Sequence, residues 1–206
     1  MHKLIIILVL FATSMTNAQT QYEVGMKKAF ELWEIEAIEA SQLFERISKA
    51  EPDNWLPPYY AAQTLIIDGF SKLNDSDALE TQLNKAQNLL NDATAISKEN
   101  PDIMVMQALL YTVYVASDGA TYGMTLSGKV MALYAQAEQI DSTNPRVVFN
   151  KAEWEIGSAR YFGQDTKPFC KDIERSIELF TNFKPESVFH PNWGKERAEE
   201  ALKACQ

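Results

Sequence analysis

The chain has little positive charge and few histidines or cysteines. Its 206 residues include 19 Lys and Arg against 28 Asp and Glu, a formal net charge of −9. Such a surface repels phosphate backbones and anionic membranes, so nucleic acid is a poor candidate for a partner. Of the two histidines, His190 is the one beyond the N-terminal segment. A lone imidazole without spaced Cys, Asp or Glu ligands cannot hold zinc, so we expect no metal site and no cofactor.

Long apolar runs are also absent, with one exception at the N-terminus. Leu4 to Ala12 is almost wholly apolar, but it has about half the length that a membrane-spanning helix needs. Thr16-Asn17-Ala18 follows, and the whole segment is typical of a secretory signal peptide cut after Ala18. We therefore expect residues 19–206 to form one domain without an integral membrane segment, periplasmic or secreted. A retained transmembrane anchor at residues 1–18 is the alternative.

Alternating apolar and polar residues, the pattern of a half-buried strand, do not recur over a useful length. Apolar positions repeat instead with helical spacing, so the predicted class is all-α. Two identical helix starts, Asn100-Pro101 and Asn144-Pro145, bracket a central helical hairpin. In each, the Asn side chain can cap the helix, and Pro fits the first helical position because no backbone donor is needed there.

Other helix ends are predicted from turns and caps. A turn near Glu34 to Glu36 separates the first two helices, although no glycine marks it and one long helix is the alternative. Asp77 and Glu80 form the pattern of a capping box at the start of a helix. Within the central hairpin we predict a loop from Asp118 to Leu126, with Ser127 as the cap of the next helix.

The predicted helices share a register. A small or apolar residue, a bulky residue four positions later and another small or apolar residue after three more recur before a turn or cap: Ala40, Phe44, Ile47, Pro52 and Asn54; Ala86, Leu90, Ala93 and Asn100; Val130, Tyr134, Ala137 and Asn144. This pattern resembles the second helix of the tetratricopeptide repeat, and Ala62, Ala108, Ala152 and Tyr111 match its first helix. The units Trp55–Asn100 and Pro101–Asn144 have 46 and 44 residues, whereas the family pattern has about 34.

The resemblance implies a stack of antiparallel helical hairpins, a TPR-like α-solenoid of about 3.5 to 4 repeats with a C-terminal capping helix. It implies a non-catalytic module that binds a protein or peptide in its concave groove. The matching groove positions are Tyr59, Gln63, Ile66, Val105, Leu109, Thr112, Phe149, Glu153 and Ile156. An open groove of this composition suits an extended peptide or an amphipathic helix. Alternatively, the central loop or the C-terminal segment fills the groove, and these residues are ordinary core.

Two further functions stay open. One is a small-ligand binding protein or enzyme whose pocket is roofed by residues 118–128, with Tyr122 and His190 as its polar groups. The other is a stack that only helps to assemble an envelope complex. For His190 itself we favour packing or capping over catalysis, because no nucleophile and orienting acid accompany it. It lies in an extended segment, Glu186 to Asn192, which we expect Phe189 and Trp193 to hold against the last hairpin.

Cys170 lies near the start of one predicted helix, and Cys205 lies near the end of the next. Antiparallel packing brings these positions to the same end of the helix pair, so we expect a disulfide in an oxidising compartment. Two buried thiols are the alternative. A redox-active pair is disfavoured because the chain has no Cys-x-x-Cys motif.

Overall fold

The computed structural model describes residues 21–205, and within them the fold is all-α, as predicted. The helices are α1 (21–33), α2 (Ala37–Ala50), α3 (Leu56–Gly69), α4 (Ser76–Ile96), α5 (Pro101–Ser117), α6 (Gly119–Ile140), α7 (Pro145–Tyr161), α8 (Lys167–Asn182) and α9 (Lys195–Lys203). The predicted signal peptide lies outside the described residues. None of the helices between residues 21 and 205 has the length and apolarity that a bilayer crossing requires.

The helices pack in chain order as stacked hairpins. α3 packs on α4, α5 on α6 and α7 on α8, while α9 packs on α8 at the C-terminal end of the stack. The first helices of successive hairpins also touch, α3 with α5 and α5 with α7. Because each of these helices is covered by its own partner and by the next hairpin, they are apolar over most of their circumference. This is the predicted solenoid-like arrangement.

The two Asn-Pro starts behave as predicted. The Asn100 side chain accepts hydrogen bonds from the backbone N–H groups of Asp102 and Ile103, at 2.9 and 3.4 Å. Asn144 does the same at the start of α7. In both helices Pro occupies the first turn, where its missing N–H leaves no hydrogen bond unmade.

Of two further predicted helix boundaries, the structure confirms one and corrects the other. The predicted turn between α1 and α2 is present at residues 34–36, so the single long helix is excluded. The cap of α4, however, is Asp75 rather than Asp77, because Asp75 accepts from the backbone N–H of Ala78 at 3.3 Å. Asp77 instead lies in the first turn of α4, where its negative charge favours the helix N-terminus.

The predicted loop from Asp118 to Leu126 is wrong. Only Asp118 separates α5 from α6, and it caps α6 by accepting from the backbone N–H of Thr121 at 3.0 Å. Ser127, predicted as the cap, lies inside α6. Three glycines made a loop plausible, but none is needed for close packing, since no atom lies within 4 Å of a Cβ placed on Gly119, Gly123 or Gly128. The surplus residues of this repeat therefore lengthen the two helices.

The segment between α8 and α9, residues 183–194, crosses the inner face of the stack, and we call it the strap. It is non-helical as predicted, but it contains a turn in which the N–H of His190 donates to the Ser187 carbonyl at 3.1 Å. The strap ends at Gly194, whose φ of +109° favours glycine. A Cβ on Gly194 would lie 3.0 Å from Cζ of Phe180, so this position also needs glycine for space.

The predicted disulfide is present. Cys170 in the first turn of α8 is bonded to Cys205, two residues after α9 ends, with a Cα–Cα distance of 5.9 Å. The bridge closes a segment with a sequence separation of 35, and the whole strap lies within this segment. Both ends of the strap are therefore tied to the same helix pair.

Candidate aromatic binding pocket

A pocket of about 350 Å³ lies between α1, α3 and the strap. Six of its lining residues are aromatic or aliphatic and three are polar or titratable. They are Phe30 and Trp33 on α1, Tyr60 and Gln63 on α3, and Val188, Phe189, His190, Asn192 and Trp193 on the strap. This mixture, mostly apolar with a few polar groups, is the usual composition of a small-molecule site.

Aromatic contacts hold the walls of the pocket in place. The ring of Phe30 lies nearly parallel to that of Phe189, at 14° and a centroid distance of 6.1 Å. It also meets the Tyr60 ring edge to face at 4.7 Å. Offset and edge-to-face pairs are the favoured geometries of aromatic rings, so α1, α3 and the strap support one another here. Val188 is 84% exposed at the mouth of the pocket.

Two hydrogen bonds fasten the strap to α3. The Tyr60 hydroxyl donates to the Phe189 carbonyl at 2.8 Å, and the Trp193 indole N–H donates to the Tyr59 hydroxyl at 2.9 Å. Burial raises the pKa of both tyrosines, so each keeps its hydroxyl proton. Phe189 and Trp193 do pin the strap, but against α1 and α3 rather than the last hairpin as predicted.

A buried ion pair lies beneath the strap. The guanidinium of Arg146 on α7 donates to the Asp102 carboxylate on α5, Nε to Oδ1 at 2.5 Å and Nη2 to Oδ2 at 3.1 Å. Arg146 is fully buried and Asp102 is 3% exposed. The Arg146 guanidinium also lies 4.5 Å from the centroid of the Phe183 ring at the start of the strap. A cation over a ring face is attracted to it, so the pair ties α5, α7 and the strap together.

His190 lies on the strap close to this ion pair. Its Nε2 is 3.8 Å from Oδ2 of Asp102, and its Nδ1 is 3.7 Å from Oε2 of the exposed Glu186. Its ring contacts those of Trp55 and Phe183. Burial is the largest influence on the His190 pKa and lowers it, and Arg146 acts in the same direction, against the carboxylates. The neutral imidazole is therefore favoured.

Gln63 is the buried polar group of the pocket. Its side chain is 3% exposed, and its Oε1 has no hydrogen-bond partner within the described part of the chain. Gln63 follows Tyr60 by three residues on α3, so both side chains face the same side of the helix. The Gln63 amide thus lies in the wall between α3 and the strap, and its oxygen accepts no hydrogen bond from the described residues.

The predicted concave groove is not an open surface. Seven of its nine positions are buried: Tyr59, Gln63, Ile66, Val105, Leu109, Phe149 and Ile156. Thr112 and Glu153 are half-buried, and Nη2 of Arg197 on α9 donates to both carboxylate oxygens of Glu153, at 2.7 and 3.0 Å. The strap covers Tyr59, and α9 covers part of α7. The C-terminal segment therefore occupies part of the groove, in the direction of the alternative that the sequence left open.

The prediction that residues 118–128 roof the pocket is wrong, because these residues are the Asp118 cap and the first turns of α6. Tyr122 packs against Tyr114 near the end of α5, with ring centroids 5.1 Å apart. His190 lies beside Asp102 at the start of α5. Twelve residues of helix separate Asp102 from Tyr114, roughly 18 Å. Tyr122 and His190 therefore do not share a site.

Gln63 and His190 were candidates from the sequence, whereas Phe30, Trp33 and Tyr60 were missed. At helical spacing, aromatic residues on α1 and α3 look like an ordinary apolar stripe. Their excess beyond what a helix face needs was the available signal. What the spacing did not show is that the strap returns to them from residues 188–193, more than a hundred residues later in the chain.

Two other features carry no site. A crevice of about 30 Å³ near Glu138, Lys151 and Asp172 has room for about one water molecule. Within the described residues, no group of three or more His, Cys, Asp or Glu is placed to hold a metal ion.

Comparison with known proteins found a solved structure with a similar fold. No family model matches the chain, and no curated protein matches its sequence. Among solved structures, it is similar to the HusA haemophore from Porphyromonas gingivalis, with a TM-score of 0.77. The two chains are 21% identical over 89% of this chain and 92% of that chain. Similarity at this level of identity shows a shared fold.

Proposed function

We propose that this protein is an exported, non-catalytic binding protein for a flat aromatic ligand of the tetrapyrrole class, such as haem. The observation that carries the proposal is the aromatic pocket of about 350 Å³ between α1, α3 and the strap. The name of the structurally similar protein, a haemophore, supports the ligand class. The disulfide supports export, because such bonds persist in oxidising compartments.

The residues of the pocket fit such a ligand. Ligand pockets commonly have volumes of about 300 to 1,000 Å³ and apolar walls. A macrocycle has two apolar faces, which Phe30, Trp33, Tyr60 and Trp193 are placed to cover. His190 lies on the same wall and is favoured in its neutral form, the form in which imidazole binds iron. Because the chain has a formal net charge of −9, we assign affinity mainly to ring stacking rather than to attraction of the ligand's carboxylates.

We also propose that the hairpins are lengthened units of the tetratricopeptide type. Contacts between the first helices α3, α5 and α7, with α4 and α6 behind them, support this interpretation. In such a stack the inner face normally receives the partner. Here the chain's own strap occupies much of that face, so a protein or peptide partner is the weaker proposal, and the remaining space suits a small molecule.

The proposal is tested by titrating the purified protein, without its first 18 residues, with haemin. Binding is followed by the Soret band and by quenching of tryptophan fluorescence. We expect saturable binding of one haem per chain at micromolar concentration or below. The variant Trp33→Ala removes a ring from the pocket, and we expect it to weaken binding by about tenfold.

Trp154→Ala is the matched control, since Trp154 is a half-buried tryptophan on α7 that does not line the pocket. We expect it to bind haemin like the wild-type protein. Binding that does not saturate, or an equal loss of affinity in both variants, would contradict the assignment of this pocket to haem.

A further inference from the structure

Gln63 differs from the other buried polar side chains in its position. In the part of the chain that the structure describes, four buried side-chain atoms lack a hydrogen-bond partner, and Gln63 Oε1 is the one whose residue lines the pocket. The surrounding walls are aromatic. Tyr60 lies one turn before Gln63 on α3, and Phe30 and Trp33 line the pocket from α1. The Tyr60 hydroxyl cannot serve Gln63, because it already donates to the Phe189 carbonyl.

Such an arrangement is unfavourable for the protein alone. An amide oxygen that loses water without gaining a partner destabilises the fold, whereas an apolar side chain of the same size would not. Gln82 on the neighbouring helix α4 shows the usual solution. Its Nε2 donates to the Leu65 carbonyl at 2.7 Å and to Asp68 at 2.9 Å, and its Oε1 accepts from Lys72 at 3.1 Å.

We propose that Gln63 is a specificity-determining residue whose amide oxygen accepts a hydrogen bond from an N–H or O–H group of the bound aromatic ligand. This inference rests on the proposed function, and it adds a polar requirement to a pocket that otherwise selects only flat apolar surface. A ligand without a donor leaves the amide oxygen unpaired and binds less tightly. Sites built around a hydrogen bond discriminate strongly against analogues that cannot make it.

Two groups of a tetrapyrrole can supply the donor. A metal-free macrocycle carries N–H groups at its centre, and these are absent when iron is bound. A carboxylic acid side chain carries an O–H group when it is protonated, a form that burial favours. Esterification removes this second donor. Haemin, metal-free protoporphyrin IX and the dimethyl ester of each therefore present the four combinations of the two donors.

The experiment compares Gln63→Met with the wild-type protein on all four ligands. Met has a similar length but makes no comparable hydrogen bond. We expect Gln63→Met to raise the melting temperature of the ligand-free protein by about 2–4 °C, because it removes an unpaired amide. We expect its affinity for a donor-bearing ligand to fall by about three- to tenfold. Its affinity for haemin dimethyl ester, which has neither donor, stays unchanged.

Gln82→Met is the matched control: we expect it to lower the melting temperature, since it removes the hydrogen bonds of Gln82 to the Leu65 carbonyl, Asp68 and Lys72, and to leave affinities unchanged. A loss confined to the carboxylic acids assigns the donor to the side chain, and a loss confined to the metal-free ligands assigns it to the ring. Equal affinities of Gln63→Met and wild-type for all four ligands, an equal loss for all four, or a lowered melting temperature would overturn this inference alone. Failure of the wild-type protein to bind any of the four overturns the proposed function as well.

Discussion

Replacing Asp102 with Asn tests whether the buried ion pair supports the fold beneath the strap. Asn has the same shape as Asp but no charge, so the change leaves the Arg146 guanidinium buried without a counter-charge. Arg146 is fully buried, and its Nη1 already lacks a partner among the described residues. Removing one member of a buried pair costs about 3–5 kcal/mol. That is a large share of the roughly 5–15 kcal/mol by which domains are stable.

The assay is urea unfolding at pH 7, followed by circular dichroism. We expect Asp102→Asn to lower the free energy of unfolding by about 3–5 kcal/mol. We expect the double variant Asp102→Leu with Arg146→Met to lose less than Asp102→Asn alone, because no charge is left buried. Lys49→Met is the control, since Lys49 is 74% exposed in its ion pair with Glu45 and should change stability by less than about 1 kcal/mol.

The reasoning is refuted if Asp102→Asn costs less than about 1 kcal/mol, because the buried guanidinium would then not depend on this carboxylate. It is also refuted if the double variant loses as much as the sum of its two single variants, Asp102→Leu and Arg146→Met. Such additivity would show that the two side chains contribute independently.

Three further predictions follow from single features. Reducing the Cys170–Cys205 bridge, or replacing both with Ser, should lower the free energy of unfolding by about 4 kcal/mol in the chain-entropy model; an unchanged urea midpoint would contradict this. The pKa of His190 is lowered, so folding favours its neutral form. The contribution of neutral His190 to the free energy of unfolding is therefore retained above its ordinary pKa and lost as the pH falls through the lowered value. His190→Gln should therefore flatten the loss of stability below pH about 6.5, and an unaltered pH profile would be evidence against it. Asp118→Ala should lower the melting temperature because it removes the cap of α6, whereas Asp118→Asn keeps a capping oxygen and should lower it less. Equal losses in the two variants would be evidence against capping.

Local chemistry accounts for the parts of the fold that were predicted correctly. The starts of α5 and α7 follow from Asn-Pro pairs, because capping involves atoms only two or three residues apart. The disulfide was predictable because neighbouring antiparallel helices bring their opposite ends together. The α5–α6 junction was not, since its glycines are compatible with both a loop and a helix. In the structure Asp118 caps the longer helix, and Tyr122 on its first turn packs against Tyr114 on α5.

The candidate site was predictable only in fragments. Gln63 and His190 were candidates for different reasons, yet they line one pocket together with aromatic residues that the sequence had not singled out. The groove positions were correctly placed on the inner helices. Whether they face a partner or the protein itself depended on where the C-terminal segment lies, and helical periodicity carries no information about that.

The sequence by itself determined the all-α class, the starts of α5 and α7 and the disulfide, because these depend on residues close in the chain or on adjacent helices. The tertiary structure alone decided that the strap closes the concave face and forms the pocket. That decision rests on contacts between distant residues: Tyr60 with Phe189 across 129 positions, and Tyr59 with Trp193 across 134. Such contacts form only because the stack turns its first helices toward one face, where the strap supplies hydrogen-bond partners for the buried hydroxyl groups of Tyr59 and Tyr60.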